Sequence, residues 1–172
     1  MTVAIDSQIL IYAGVVPLKQ KALTPTLKDL RRRSTMLLDL IIASEKIVLP
    51  MIAISELLIT IPEDKKAGVV AVLTKRFICP QFDLQAAVIA SNLWREYKKL
   101  PADQQYRDRQ VMRSDAMIVA TAKAAGATAF YTNDNNCRRM AALVMEGRGI
   151  PKRHPDGNLF EKQEAAEDDA KS

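Results

Sequence analysis

SDAMIVATAKAAGATAFYTNDNN, residues 114–136, sets out a helix, a stop, a strand and a break in succession. Ser114 is suited to cap a helix, because its hydroxyl can accept a bond from an unpaired amide of the first turn. Asp115 then falls in that turn, where the positive helix end favours a carboxylate. The apolar and alanine-rich run from Met117 stops at Gly126, a residue that readily takes the left-handed helix-ending conformation. Ala127–Thr132 reads as a short buried strand, broken by Asn133-Asp134-Asn135-Asn136. One acid therefore starts a helix and a second ends the next strand. In a parallel α/β sheet, both positions belong to the rim beyond the carboxyl ends of the strands, where such folds place their sites.

Working outward, the same strand-then-helix grammar repeats. Thr2–Ile5 is a β-branched run ending at Asp6, followed by Ser7-Gln8 and the apolar segment Ile9–Ala13. Thr24-Pro25 opens a long helix reaching Ser44, with Pro25 at the first position, where its missing amide costs nothing. Arg31-Arg32-Arg33 lies on its polar side. Lys46–Leu49 is the second strand, and Met51–Thr60 a strongly apolar helix whose one charged residue is Glu56. A carboxylate in such a segment is costly unless it is paired or bound to a cation. Pro62-Glu63-Asp64 starts a helix to about Thr74, Arg76–Cys79 reads as a third strand, and Asp83 caps a helix carrying Leu93, Trp94 and Tyr97. Residues 101–113 read as a charged surface loop. A helix over 136–145 and a last short strand at Gly149-Ile150 complete five βα steps. The expected fold is an α/β/α sandwich around a short, mostly parallel sheet of four to five strands.

Composition narrows the class. The 172 residues suit one domain, taken as residues 1–150, with a polar extension over 151–172 that is acidic and expected to be disordered at its end. No apolar run approaches the length needed to cross a bilayer. Cys79 and Cys137 form no CxxC pair, which points to a reduced, cytoplasmic protein without a zinc site. The net charge is +5, but Glu161–Ser172 carries −3, leaving +8 on residues 1–160. A body this basic suits a polyanion, although solubility alone would also account for it.

Four acids stand out by position: Asp6, Glu56, Asp115 and Asp134. Singly, Asp6, Asp115 and Asp134 have ordinary roles in turns and helix starts, whereas Glu56 has no basic residue between Lys46 and Lys65 to pair with. Carboxylates from separate elements meeting at one rim repel each other, and a hard divalent cation resolves the conflict. The only histidine, His154, lies far along the chain from these acids, so histidine-based nucleolytic chemistry lacks its base.

In order, AIDSQILIYA, LPMIAISELL, SDAMIVATAKAAGA and AFYTNDNN resemble the acidic motifs of PIN-domain nucleases, and within them the VapC-type toxins of toxin–antitoxin pairs. The resemblance extends to about Ile150. It implies that Asp6, Glu56, Asp115 and Asp134 bind Mg²⁺ or Mn²⁺ and carry hydrolysis of RNA phosphodiesters, with Ser7 and Thr132 orienting ligands or water. It further implies an antitoxin partner and a homodimer. The chain departs from the pattern at Gln8, where Asn is common, and at Asn136-Cys137, where many members have Asp-Phe. The number of metals is therefore open. Arg113 and Arg138, nearest in sequence to Asp115 and Asp134, are the candidate RNA phosphate contacts. Trp94 reads as core. The alternative is a catalytically weak PIN-like protein that holds RNA or a partner. A metal-dependent phosphatase ranks below both, because Asp6-Ser7-Gln8 is not its DxD.

Overall fold

The computed structural model describes residues 1–15, 24–101, 105 and 108–152. His154 and the acidic extension lie outside these, as do most of residues 101–107. In chain order the elements are β1 (Thr2–Ile5), α1 (Ser7–Tyr12), α2 (Pro25–Ser44), β2 (Lys46–Val48), α3 (Met51–Ile59) and α4 (Glu63–Arg76). They continue with α5 (Leu84–Tyr97), α6 (Arg109–Ala124), β3 (Ala129–Tyr131), α7 (Asn135–Ala141) and β4 (Glu146–Arg148).

The sheet is parallel throughout, in the order β2-β1-β3-β4. Val3, Ala4 and Ile5 are all buried, as are Ala129, Phe130 and Tyr131. Because neighbouring side chains on a strand point to opposite faces, uninterrupted burial means that both faces are covered, which is the sandwich expected from the sequence. The chain steps from β1 to β2 on one side and returns to β3 on the other. The order thus reverses between β1 and β3, and ligands of open parallel sheets bind at such a switch point. The register sets Ile5 beside Tyr131, and the Asp6 amide donates to the Tyr131 carbonyl at 3.0 Å. The residues just past the ends of these two strands, Asp6 and Thr132, are thereby brought together.

Several boundaries differ from the sequence reading. Helix α6 begins at Arg109, not Ser114. Asp108 is its cap, accepting from the amides of Gln110 (2.7 Å) and Val111 (3.4 Å). Met112, Ala116 and Val119 continue its buried stripe, so part of the supposed charged loop is helix, and Asp115 lies in the second turn rather than the first. The proposed third strand at Arg76–Cys79 is not a strand. Helix α4 runs to Arg76, and only Ile78 bridges to Val48 at the sheet edge. Pro80 has no amide to give to the ladder, although its carbonyl still accepts from the Met51 amide at 3.0 Å. The last strand is Glu146–Arg148 rather than Gly149-Ile150, and α7 ends at Ala141. Other local readings hold: Thr24 accepts from the Leu27 amide at 3.3 Å, and Asp83 from the Ala86 amide at 2.8 Å.

Gly126 closes α6 with φ +81°, and a Cβ built there would meet nothing within 4 Å. Gly126→Ala should therefore cost about 1–2 kcal/mol through backbone conformation alone. Gly68, inside α4 and equally open, should respond oppositely, Gly68→Ala stabilising by about 0.5–1 kcal/mol. Urea unfolding of the two variants tests the difference in sign.

Candidate active site at the switch point

Asp6 follows β1 and begins α1, yet its carboxylate does not cap that helix. Thr132, just beyond β3, donates its hydroxyl to Oδ2 at 2.9 Å, and Ser7 donates to Oδ1 at 3.1 Å. All three residues are buried. The Thr132 hydroxyl also accepts from the Asp134 amide at 3.1 Å, which ties the two acids at the switch point through one side chain. Asp134 begins α7, and its Oδ1 accepts from the amides of Asn136 (2.6 Å) and Cys137 (3.0 Å).

Glu56 approaches from the next layer. It is half-buried in α3, and Ser114 of α6 donates to its Oε1 at 2.5 Å. Ser114 thus holds an acid instead of capping a helix. Burial lifts the Glu56 carboxyl above its ordinary 4.5; the Ser114 hydroxyl opposes this, the charge of Asp6 adds to it, and the Ser7 hydroxyl opposes it again. Asp6 is raised above 3.8 by the same desolvation, with Thr132 and Ser7 pulling back. Among the described residues, Asp6, Glu56 and Asp134 form no ion pair.

The convergence shows most plainly at a residue with no assigned role. Cys137 is 1% exposed, and its thiol is held well above 9.0. Burial is the largest cause, followed by the charges of Asp115, Asp6, Asp134 and Glu56. All four acids are felt at one buried sulfur. The hydroxyl of Tyr97, a fully buried side chain, is likewise raised, first by burial; Arg139 opposes this, and Asp134 and Asp115 add to it. Neither Tyr97 nor Cys137 stands out in the sequence as part of a site. Tyr97 belongs to the apolar stripe of α5, and only the Asp134-to-Cys137 spacing, one helical turn, hints at the second.

The two arginines singled out for phosphate contacts have other partners in the structure. Arg138 donates to Asn135 at 2.8 Å and lies against Gly149. Arg113 is exposed, with its guanidinium 5.2 Å from the centre of the Trp94 ring. Arg32 and Arg33 both pair with Asp29 at 3.4 and 2.8 Å, so part of the basic run on α2 is neutralised by its own helix.

Carboxylates flanked by hydroxyls form a hard-oxygen donor set of the type Mg²⁺ and Mn²⁺ prefer. Asp6 is raised by desolvation, and Glu56 by desolvation and by the charge of Asp6, a repulsion that a cation would relieve. As placed, no three Asp, Glu, His or Cys side chains among the described residues are gathered closely enough to hold a metal ion. Glu56 and Asp134 rest instead on protein donors. The donor chemistry fits such an ion, and the ligand shell is not assembled.

The PIN domain family model matches residues 4–143, and the chain belongs to that family. Among solved structures, a chain of the VapBC2 structure from Rickettsia felis, described as bound to a DNA fragment from their promoter, is similar at 14% identity and a TM-score of 0.60. The match covers 88% of this chain and all of that one. A chain of the VapBC-1 structure from nontypeable Haemophilus influenzae is similar at 16% identity and TM-score 0.55, covering 85% and 96%. At these identities the likeness is one of fold. No curated protein sequence matches significantly. No helix among the described residues is long and apolar enough to cross a membrane.

A carboxyl raised on folding keeps its proton to higher pH in the folded chain than in the unfolded one. Its stability contribution is greatest below the unfolded value and declines as pH rises through the folded one. Above its unfolded value, and without divalent metal, the Asp6 carboxyl therefore costs stability. Asp6→Asn should raise Tm by about 2–4 °C for each kcal/mol recovered, with the gain disappearing toward pH 3. Thermal unfolding followed by circular dichroism across that range checks the direction.

Proposed function

We propose that this PIN-domain protein is a divalent-metal-dependent ribonuclease and the toxin of a toxin–antitoxin pair. The observation that carries the reading is the buried Asp6 carboxylate at the switch point, held by Ser7 and Thr132, tied through Thr132 to Asp134, and adding its charge to the raised Glu56 carboxyl. Asp6, Glu56, Asp115 and Asp134 would hold Mg²⁺ or Mn²⁺, within a nuclease domain of residues 1–150 followed by a polar extension. When bound, the ion would supply charge neutralisation at a phosphate and acidify water.

The chain's own groups prepare that site. Ser7 and Thr132 each occupy one acceptor position on Asp6, which fixes the plane of the carboxylate and leaves further lone pairs available. Ser114 holds Glu56 toward the same region. Tyr97 and Cys137 are both buried, and such burial beside the acids would leave charge–charge interactions at the rim less screened than in solvent. The overall positive charge of the body would draw the polyanionic substrate toward the acids.

The antitoxin draws on two observations. The VapBC structures of similar fold are named for paired components. In this chain, Val15, Val69 and Val72 line an open depression, and Ile59 nearby in sequence is 82% exposed. An antitoxin seated here would cover Val15, Val72 and Ile59, which are exposed in the chain alone. A homodimer and a cytoplasmic location complete the proposal.

The test is cleavage of single-stranded RNA by the purified chain with Mg²⁺, Mn²⁺ or EDTA, beside Asp6→Asn and Asp115→Asn. Cleavage should require metal and fall at least a hundredfold in either variant, on the scale of removing one strong charge-stabilising group. RNA that is bound but never cut, equally well in EDTA and by both variants, would establish the binding-only reading instead.

A further inference from the structure

Trp94 is the only tryptophan of the chain, and two cations lie against its ring. The Lys98 ammonium, one turn further along α5, is 4.9 Å from the ring centre, and the Arg113 guanidinium of α6 is 5.2 Å from it. The two charges are therefore within about 10 Å of each other. Both side chains are exposed, whereas the indole is half-buried. Among the described residues, neither cation forms an ion pair with a carboxylate. Neighbouring charges are used up locally: Lys99 pairs with Glu96 at 2.7 Å, Arg95 binds Asn92, and Asp108 caps α6. Lys98 and Arg113 both lie against one ring and, among the described residues, neither meets a carboxylate.

Like charges do not gather without a reason. The negative face of an indole attracts each cation and restricts its range, which offsets their repulsion and the lost side-chain freedom. An anion that draws on both charges would be favoured further, and a phosphodiester suits them by type, since lysine meets phosphate as a point charge and arginine as a fork. Position supports this use. Arg113 immediately precedes Ser114, which holds Glu56, and Trp94 lies one turn before Tyr97, whose hydroxyl feels Asp115 and Asp134.

We infer that Lys98 and Arg113, held by Trp94, form a seat for a backbone phosphate of single-stranded RNA beside the acidic site. This rests on the RNA substrate proposed above. The cations make the contact, and Trp94 is a positioning residue.

The experiment titrates the full chain with a short single-stranded RNA in EDTA, so that nothing is cut. The lone indole reports directly on the seat, and its fluorescence should change saturably with RNA. Labelled-RNA anisotropy then compares wild type with Lys98→Gln, Arg113→Gln, Trp94→Phe, Trp94→Leu and the control Lys66→Gln. Removing one cation from the phosphate of a single strand takes about 0.7 from the salt slope, hence about fivefold in affinity at 0.1 M salt. Lys98→Gln and Arg113→Gln should each show this. Trp94→Leu should approach the loss of both, whereas Trp94→Phe, which retains a ring, should recover most of the affinity at equal thermal stability. Lys66, paired with Glu63, should be neutral.

Wild-type binding with unchanged affinity and slope in both cation variants would overturn the seat, as would an equal loss in Lys66→Gln or no RNA binding at all. Cleavage does not enter the readout. A chain that cuts no RNA with any metal but shows these losses would refute the nuclease and keep the seat.

Discussion

The Asp6 carboxylate is buried at the rim of a parallel sheet, where two hydroxyls oppose the cost of its desolvation, and the candidate site is arranged around that constraint. It originates in the pairing of β1 with β3. The Asp6 amide bonds the Tyr131 carbonyl, which forces Asp6 and Thr132 into the same small volume. Burial there raises the Asp6 carboxyl, and Asp6 in turn helps to raise Glu56. A site assembled in this way stores unfavourable electrostatic energy when no cation is bound. That stored energy is what would give a divalent ion its affinity.

The surrounding elements make the arrangement tolerable. Both faces of the sheet are covered, so the strands need no solvent contact, and β1 can end abruptly in an acid. Ser7, Thr132 and Ser114 satisfy the carboxylates without neutralising them, which a lysine or arginine in the same places would do. Asp134 has two duties, since its oxygen caps α7 while its charge acts on Cys137 and Tyr97. The protein donors that hold Asp134 and Glu56 also explain why no ligand shell is assembled among the described residues. The β1–β3 pairing links Asp6 to Asp134 through Thr132, and local donors direct Asp134 and Glu56.

Legibility in the sequence depends on how local each signal is. β1, the Thr24 and Asp83 caps and the apolar stripe of α3 depend on residues close in the chain, and they were legible. The parallel sandwich came from strand and helix alternation, and the PIN resemblance from the order of four acidic motifs. The start of α6 was hidden because PADQQYRDRQVMR is dominated by charge, while its buried stripe begins only at Met112. Ser114 is a plausible cap by type, but Asp108 takes that duty and Ser114 serves Glu56, 58 positions away. Arg76–Cys79 has strand-like composition, yet α4 uses Arg76 and Pro80 has no amide to donate to the ladder. Trp94, read as core, does pack against the core, but it is only half-buried and carries two cations on its ring. Tyr97 and Cys137 enter the site only through tertiary packing, which no periodicity announces.

The claim at the centre of this account is that the four acids form one cation site. Its most direct test is calorimetric titration of Mn²⁺ into wild type and into Asp6→Asn, Glu56→Gln, Asp115→Asn and Asp134→Asn, with Asp39→Asn of α2 as control. Binding that weakens at least tenfold in each of the four variants, about 1.4 kcal/mol apiece, and is unchanged in the control is the predicted result. Mn²⁺ binding that persists undiminished in all four variants, or no binding by folded wild type, would contradict it.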